Sequence, residues 1–229
     1  MGKSESKEKI LLAWSGGKDS ARTLFDLLQS DRYSLAALLV TITKEYERVS
    51  MHGVRCELIQ AQATTIGLPL EKVYITKNAS NEEYEEQMKN VLLRYKTKGV
   101  TAVAFGDIFL EDLKKYREEN LHRIGMNAIF PLWGKNTSEL AHSFVELGFK
   151  AIITCVDSEK LYGSFVGREY DEKFLADLPK GVDSCGENGE FHSFVYDGPV
   201  FSKKVRFKKG EVVLRDDRFW YCDLIPCEL

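Results

Sequence analysis

The feature that most constrains this chain is a short apolar run that ends in a small, polar, glycine-containing loop. Ile10-Leu11-Leu12-Ala13-Trp14 shows no alternation of apolar and polar residues, as expected of a strand buried on both faces of a sheet. Ser15-Gly16-Gly17-Lys18-Asp19-Ser20 follows at once, and Ala21, Leu24, Phe25 and Leu28 then recur at helical spacing. Buried strand, tight loop and amphipathic helix form the opening of a parallel α/β unit. In such sheets ligands bind at the carboxyl edge of the strands, where this loop stands.

The composition of the loop specifies an anion. Gly16 and Gly17 let the backbone come close to a ligand and present N–H groups, and the helix start adds partial positive charge. Lys18 supplies a full charge, and Ser15 and Ser20 supply hydroxyl donors. Asp19 would repel a phosphate unless a cation stood between them, so it marks a Mg²⁺ ligand. A plain capped turn accounts for one Ser or Asp but not for Gly-Gly-Lys beside them. The loop is neither Gly-x-x-x-x-Gly-Lys-[Ser/Thr] nor Gly-x-Gly-x-x-Gly.

Further strands are expected at 35–42, 73–75, 100–105 and 128–132, with helices at 54–66, 81–98 and 110–124 between them. Gly67-Leu68-Pro69 and Gly99 stop two of these helices. The result is a doubly wound, five-stranded parallel sheet, Rossmann-like, over residues 1–133. Residues 134–229 read as a smaller α+β domain. It has a helix at 138–147, strands at 151–156 and 191–196, a hairpin of 204–207 with 211–214 turning at Lys209-Gly210, and a last strand at 219–224.

Bulk properties narrow the class. A net charge of −3 argues against broad nucleic-acid binding. The basic run Lys203, Lys204, Arg206, Lys208 and Lys209 reads as a solvated face. The polar stretch 1–9 has no signal-peptide core, and no segment is long enough to span a membrane. Five scattered cysteines without Cys-x-x-Cys suggest neither zinc nor a disulfide framework, and a cytoplasmic protein is expected. Cys155 reads as a core residue.

A second constellation lies at Gly186-Glu187-Asn188-Gly189-Glu190-Phe191-His192. It reads either as a glycine-punctuated turn entering a strand or as a substrate site. At the period of two, Glu190 and His192 fall on one side, where they could position ammonia, act as general base or hold a metal. Glu187 is a further substrate-side candidate that this spacing turns elsewhere. His52, after the second strand, and Glu57, one helical turn on, are candidates for substrate contact. Gly106 and Asp107, at the end of the fourth strand, are candidates for bordering the nucleotide.

Ser-Gly-Gly-Lys-Asp-Ser after the first strand resembles the loop of the N-type ATP pyrophosphatases, the PP-loop enzymes of the adenine nucleotide α-hydrolase superfamily. Gly-Glu-x-Gly-Glu-Phe followed by Phe194-Val195-Tyr196-Asp197-Gly198-Pro199 is similar to the C-terminal signature of the diphthine–ammonia ligase family. Gly106-Asp107-Ile108, Arg123-Ile124-Gly125-Met126 and Pro131-Leu132-Trp133-Gly134 extend the resemblance over nearly the whole chain. The resemblance implies cleavage of ATP between its α and β phosphates, with Mg²⁺. An acceptor carbonyl oxygen is adenylated, and ammonia then displaces AMP. On this reading Ser15, Gly16, Gly17, Lys18, Asp19, Ser20, Gly106 and Asp107 bind nucleotide, and Lys18, Asp19, Glu190 and His192 are catalytic.

The family's members amidate diphthine, a modified histidine of elongation factor 2. Here Asn188 stands for a glycine and His192-Ser193 for Glu-Thr, a form that looks like the bacterial branch. The acceptor, a small molecule or a modified protein, stays open. A homodimer is compatible with the sequence. Transfer of sulfur to tRNA on the same nucleotide domain, and an ATP sensor without turnover, are the other readings.

Overall fold

The computed structural model describes residues 7–227, so six residues of the polar stretch 1–9 lie outside it. Five strands run parallel: β1 (Glu8–Ala13), β2 (Tyr33–Thr43), β4 (Leu70–Ile75), β5 (Ala102–Ala104) and β6 (Asn127–Ile129). Their order is β4-β2-β1-β5-β6. A two-residue strand, β3 (Arg48–Val49), adds antiparallel to the end of β2. Helices α1 (Lys18–Leu28), α2 (Cys56–Ile66), α3 (Asn81–Lys96) and α4 (Glu111–Arg123) make the crossovers. The chain winds outward from β1 through β2 to β4, then returns to β5 on the other side. The switch of direction between β1 and β5 opens a crevice at their carboxyl ends.

The unbroken apolar run of β1 has the expected cause. Ile10 and Leu12 pack into one cluster with Leu24 of α1 and Ile59 of α2, while Leu11 packs into another with Val91, Leu92 and Leu121. The first cluster continues into a second, antiparallel sheet. That sheet consists of β7 (Lys150–Asp157), β8 (Phe191–Asp197), β9 (Phe207–Arg215) and β10 (Phe219–Pro226), in the order β8-β7-β10-β9. Helices α5 (Thr137–Glu146) and α6 (Glu172–Asp177) flank it. Ile152, Phe194 and Phe149 of this half share the cluster with Leu24 and Ile59 of the first. Among the described residues, no helix is long and apolar enough to cross a membrane.

Two expectations are corrected. The fifth parallel strand stops at Ile129, and Phe130-Pro131-Leu132-Trp133 is a turn, with the Trp133 amide on the Phe130 carbonyl. Pro131 lacks the N–H that would extend the ladder. The second correction moves the hairpin. Lys209-Gly210 lies inside β9, and the chain reverses at Asp216, Asp217 and Arg218, with φ near +51° at both aspartates. Gly210 serves packing, not turning: a Cβ there would fall 3.1 Å from Ile225 Cδ1 and 3.3 Å from Asp223 Cβ. It sits opposite the register shift between Cys222 and Leu224.

An ion-pair cluster ties the sheets together. Asp223 of β10 accepts from Arg48 Nη1 (2.8 Å) and from Arg55 Nη2 (2.6 Å). Partial burial would raise its carboxyl, but the two guanidinium groups hold it down at about 2. Asp223→Ala leaves both arginines without their carboxylate and is expected to cost about 2 kcal/mol, from charge-assisted hydrogen bonds. Urea unfolding should record it as a lower midpoint at unchanged slope. An unchanged midpoint would mean that the cluster is only a surface feature.

Candidate active site

The loop after β1 is fixed from three sides. Gly16 adopts φ +78°, and a Cβ on it would lie 2.5 Å from Ile59 Cδ1 and 2.7 Å from Gln62 Oε1 of α2. The Gly16 carbonyl accepts from the Val195 amide of β8 (2.9 Å) and from Gln62 Nε2 (3.0 Å). Gln62 is fully buried and also accepts from Trp14 Nε1 at 2.9 Å, so one amide side chain joins β1, the loop and β8. Sequence reading passed over it. The available signal was a glutamine on the helix face that carries Leu58, Ile59 and Ala63.

Within the loop the Gly17 amide donates to Ser15 Oγ (3.2 Å), Ser20 Oγ donates to the Gly17 carbonyl (2.9 Å), and the Lys18 amide donates to Ser193 Oγ of β8 (3.2 Å). Gly17 is the N-cap of α1. Helix geometry leaves the next amides, of Asp19 and Ser20, without intrahelical acceptors. That is the donor arrangement of an anion site.

Lys18 is 4% exposed. Its Nζ lies 2.7 Å from Asp19 Oδ2, and 5.5 Å and 6.0 Å from the ring centroids of Phe191 and Tyr170. Burial would lower the ammonium's pKa, but the Asp19 carboxylate, with Cys185 and Glu187, raises it. Lys18 therefore stays charged. Asp19 is itself pushed up by burial against the pull of Lys18, and further by Asp183 and Asp107. Among the described residues no group of three or more His, Cys, Asp or Glu side chains is arranged to hold a metal. Mg²⁺ that arrives on a nucleotide needs only one or two protein carboxylates. Asp19 fits that requirement, because neighbouring carboxylates that raise its pKa are what a divalent cation would neutralise.

The loop opens into a cleft of about 880 Å³ at the β1/β5 switch point, bounded also by α3, α4 and the segment 185–193. Gly106 and Asp107 line it after β5. A Cβ on Gly106 would lie 3.0 Å from the Asp19 carbonyl carbon, so glycine lets the end of β5 close onto α1. Asp107 is nearly buried and paired with Arg117 of α4, whose Nε lies 2.8 Å from Oδ2. Burial raises the Asp107 carboxyl, and Arg117 opposes the rise. Arg117 is a second residue that the sequence reading missed, hidden in the charged run of α4.

The carboxylates of the glycine-rich segment differ from expectation. Glu187 lines the cleft, and its Oε1 accepts from the Ile108 amide (2.7 Å). Glu190 is not among the cleft-lining residues. It is 3% exposed, and Oε1 accepts from the Asp183 amide and from Asn188 Nδ2, both at 3.1 Å. The period-two argument that set Glu190 beside His192 does not apply, because β8 begins only at Phe191. Gly186 and Gly189, at φ +67° and +82°, bend the segment before it.

His192 does line the cleft, and so does His52. Their ring centroids lie 4.3 Å apart with the planes tilted by 35°, beside Gly17, where a Cβ would lie 3.2 Å from His52 Cε1. Burial, with Lys18, lowers His192 to about 4; burial, His192 and Lys18 hold His52 well below its ordinary range. Both rings are neutral near pH 7. Glu57 is exposed on α2, outside the cleft wall.

These shifts set opposing pH dependences. Burial raises Glu187 from 4.5 to about 7, so between those values the folded chain keeps a proton that the unfolded chain releases. Its stabilising contribution is full below pH 4.5 and lost as pH rises through about 7. His192 has the opposite sign: stability falls as pH drops from 6.5 through about 4. Glu187→Gln is expected to flatten the neutral-side fall in Tm and to leave the acid-side loss in place. Thermal melts across both windows test this, and an unchanged neutral slope would remove Glu187 as its source.

Comparison with known proteins gives a consistent picture. The sequence model of the diphthamide synthase N-terminal domain matches residues 8–128, and that of the diphthamide synthase C-terminal domain matches residues 136–225. The chain is 27% identical over 180 residues to the diphthine–ammonia ligase of Rattus norvegicus, covering 75% of this chain and 66% of the relative. It is 25% identical to the Homo sapiens diphthine–ammonia ligase, covering 87% and 83%, and 28% identical to that of Danio rerio, covering 89% and 88%. With both halves matched, and the first match alone spanning more than half of its length, the chain belongs to the diphthamide synthase family.

Proposed function

We propose that this protein is an ATP-dependent carbon–nitrogen ligase, which adenylates a carbonyl oxygen of its acceptor and lets ammonia displace AMP. The observation that carries the reading is a buried, charged Lys18 beside the free first-turn amides of α1, at the floor of a cleft at the switch point. Fixed donors of this kind, held in place before the reaction, stabilise charge that develops on a departing pyrophosphate.

In this reading the acceptor oxygen attacks the α phosphorus of ATP, and the bond to pyrophosphate breaks. Lys18 and the amides of Asp19 and Ser20 hold the phosphates, with Ser15 and Ser20 shaping the loop. Asp19, with Asp107 nearby, would hold Mg²⁺, which would supply Lewis-acid neutralisation of the phosphates. Ammonia then attacks the activated carbon, AMP leaves, and one proton must be taken up. Glu187 suits that task, being a cleft carboxylate raised to about 7. His192 and His52, as neutral imidazoles, border the acceptor and can accept hydrogen bonds from it. Glu190 braces the turn and does not react.

The names of the relatives make diphthine on a modified protein the first acceptor to offer. The test supplies ATP, ammonium and diphthine-bearing elongation factor 2, and measures AMP, pyrophosphate and amide. One of each per turnover is expected. Tight ATP binding without AMP from any acceptor in a broad screen would overturn the ligase and leave a nucleotide sensor.

A further inference from the structure

β9 is the outer strand of the second sheet, nine residues long, and among the described residues no strand pairs with its free side. An open edge of this length is a template for another strand. Charged side chains often blunt such edges, but β9 also carries Val212 and Leu214, 49% and 43% exposed, on one face. Glu211 and Arg215, opposite in charge, share the other face with Val213, while the register shift at Gly210 turns Lys209 to the face of Val212.

We propose that β9 pairs antiparallel with β9 of a second copy of this chain, about a two-fold axis through Val213, so that the two antiparallel sheets become one. Directly opposed residues in an antiparallel pair point to the same face. A two-fold axis normal to the sheet must therefore pass where a residue opposes itself. With Val213 on the axis, Glu211 of each copy faces Arg215 of the other, and Val212 faces Leu214.

Other registers fail on charge or on apolar matching. An axis at Glu211 sets that carboxylate against itself, and one at Val212 sets Glu211 against Val213. An axis at Leu214 sets Glu211 against Asp217, and one at Gly210 falls on the register shift itself. Only the Val213 register joins opposite charges and apolar residues together. That self-complementarity is why the occupant is a second copy and not an unrelated strand.

Sedimentation equilibrium of the full chain tests this, with Glu211→Arg, Arg215→Glu and the double variant. The unsubstituted chain should dimerise. Each single variant should dimerise on the order of tenfold more weakly or worse, since two attractive pairs become repulsive. The double variant should recover. An equimolar mixture of the two single variants should also recover, because each supplies the charge that the other lacks. Neither residue lines the cleft, and unchanged melting curves show that the variants fold. A monomeric unsubstituted chain overturns the proposal. So does a dimer indifferent to the single changes, or one not restored by mixing.

Discussion

Acceptor-dependent AMP release should fall by about 10³-fold in Lys18→Ala, the scale of losing a central electrostatic group from a preorganised site. Lys18 is a cation held dry between Asp19 and two aromatic rings, so its field is little screened by water. The substitution also strands the Asp19 carboxylate, whose side chain is 31% exposed. Some stability is lost with it, and the melting curve must be read beside the assay. Lys18→Arg separates the two effects: it keeps the charge and the pair, but a planar fork does not fit where a compact ammonium sits. It should fold more stably than Lys18→Ala and still turn over poorly. Turnover at the unsubstituted rate in Lys18→Ala would remove Lys18 from the reaction.

The largest loss of stability is expected from Gly16→Ala. A residue other than glycine at φ +78° costs roughly 1–2 kcal/mol. The new Cβ would also meet Ile59 Cδ1 at 2.5 Å and Gln62 Oε1 at 2.7 Å. Overpacking a core costs roughly a further 1–3 kcal/mol. Displacing Gln62 would loosen its bonds to Trp14, the Gly16 carbonyl and the Val195 carbonyl together. A fall in Tm of roughly 10 °C follows for a chain of this length. Gly67→Ala is the internal control, since φ is +81° there but nothing lies within 4 Å of the new Cβ. It carries the backbone cost alone. Equal losses at the two positions would mean that the contact with α2 contributes nothing.

Much of this architecture was legible because it is written locally. The apolar run of β1, the glycines of the loop and the helical period of α1 act within about twenty neighbouring residues, and each specifies its own segment. Gly16 and Gly17 could be read as a close approach of backbone to ligand. That Gly16 also yields space to α2 was not readable, because Ile59 and Gln62 come from forty residues away. The hairpin at Asp216–Arg218 was misplaced for a similar reason. Lys209-Gly210 has the composition of a turn, but cross-strand neighbours on β10 require the glycine inside a strand. Aspartate tolerates the left-handed conformation well enough to make the real turn.

The sequence by itself determined the glycine loop proposed to bind phosphate, its place at the carboxyl edge of a parallel sheet, and the family. These depend on residue types at short spacing, and the chemistry of a phosphate site needs little else. Only the tertiary structure decided which acids face the cleft. Glu187 and Glu190 are three residues apart in one glycine-rich segment, and strand periodicity favours the second. The backbone bends at Gly186 and Gly189 before β8 begins, which turns Glu187 toward Ile108 and the cleft and Glu190 into its own turn. The pairing of His192 with His52 was likewise decided by sheet packing, since His52 stands in the turn after β3 of the first sheet and His192 on β8 of the second. Burial, which sets their protonation and that of Glu187, exists only once the two sheets have closed over the loop.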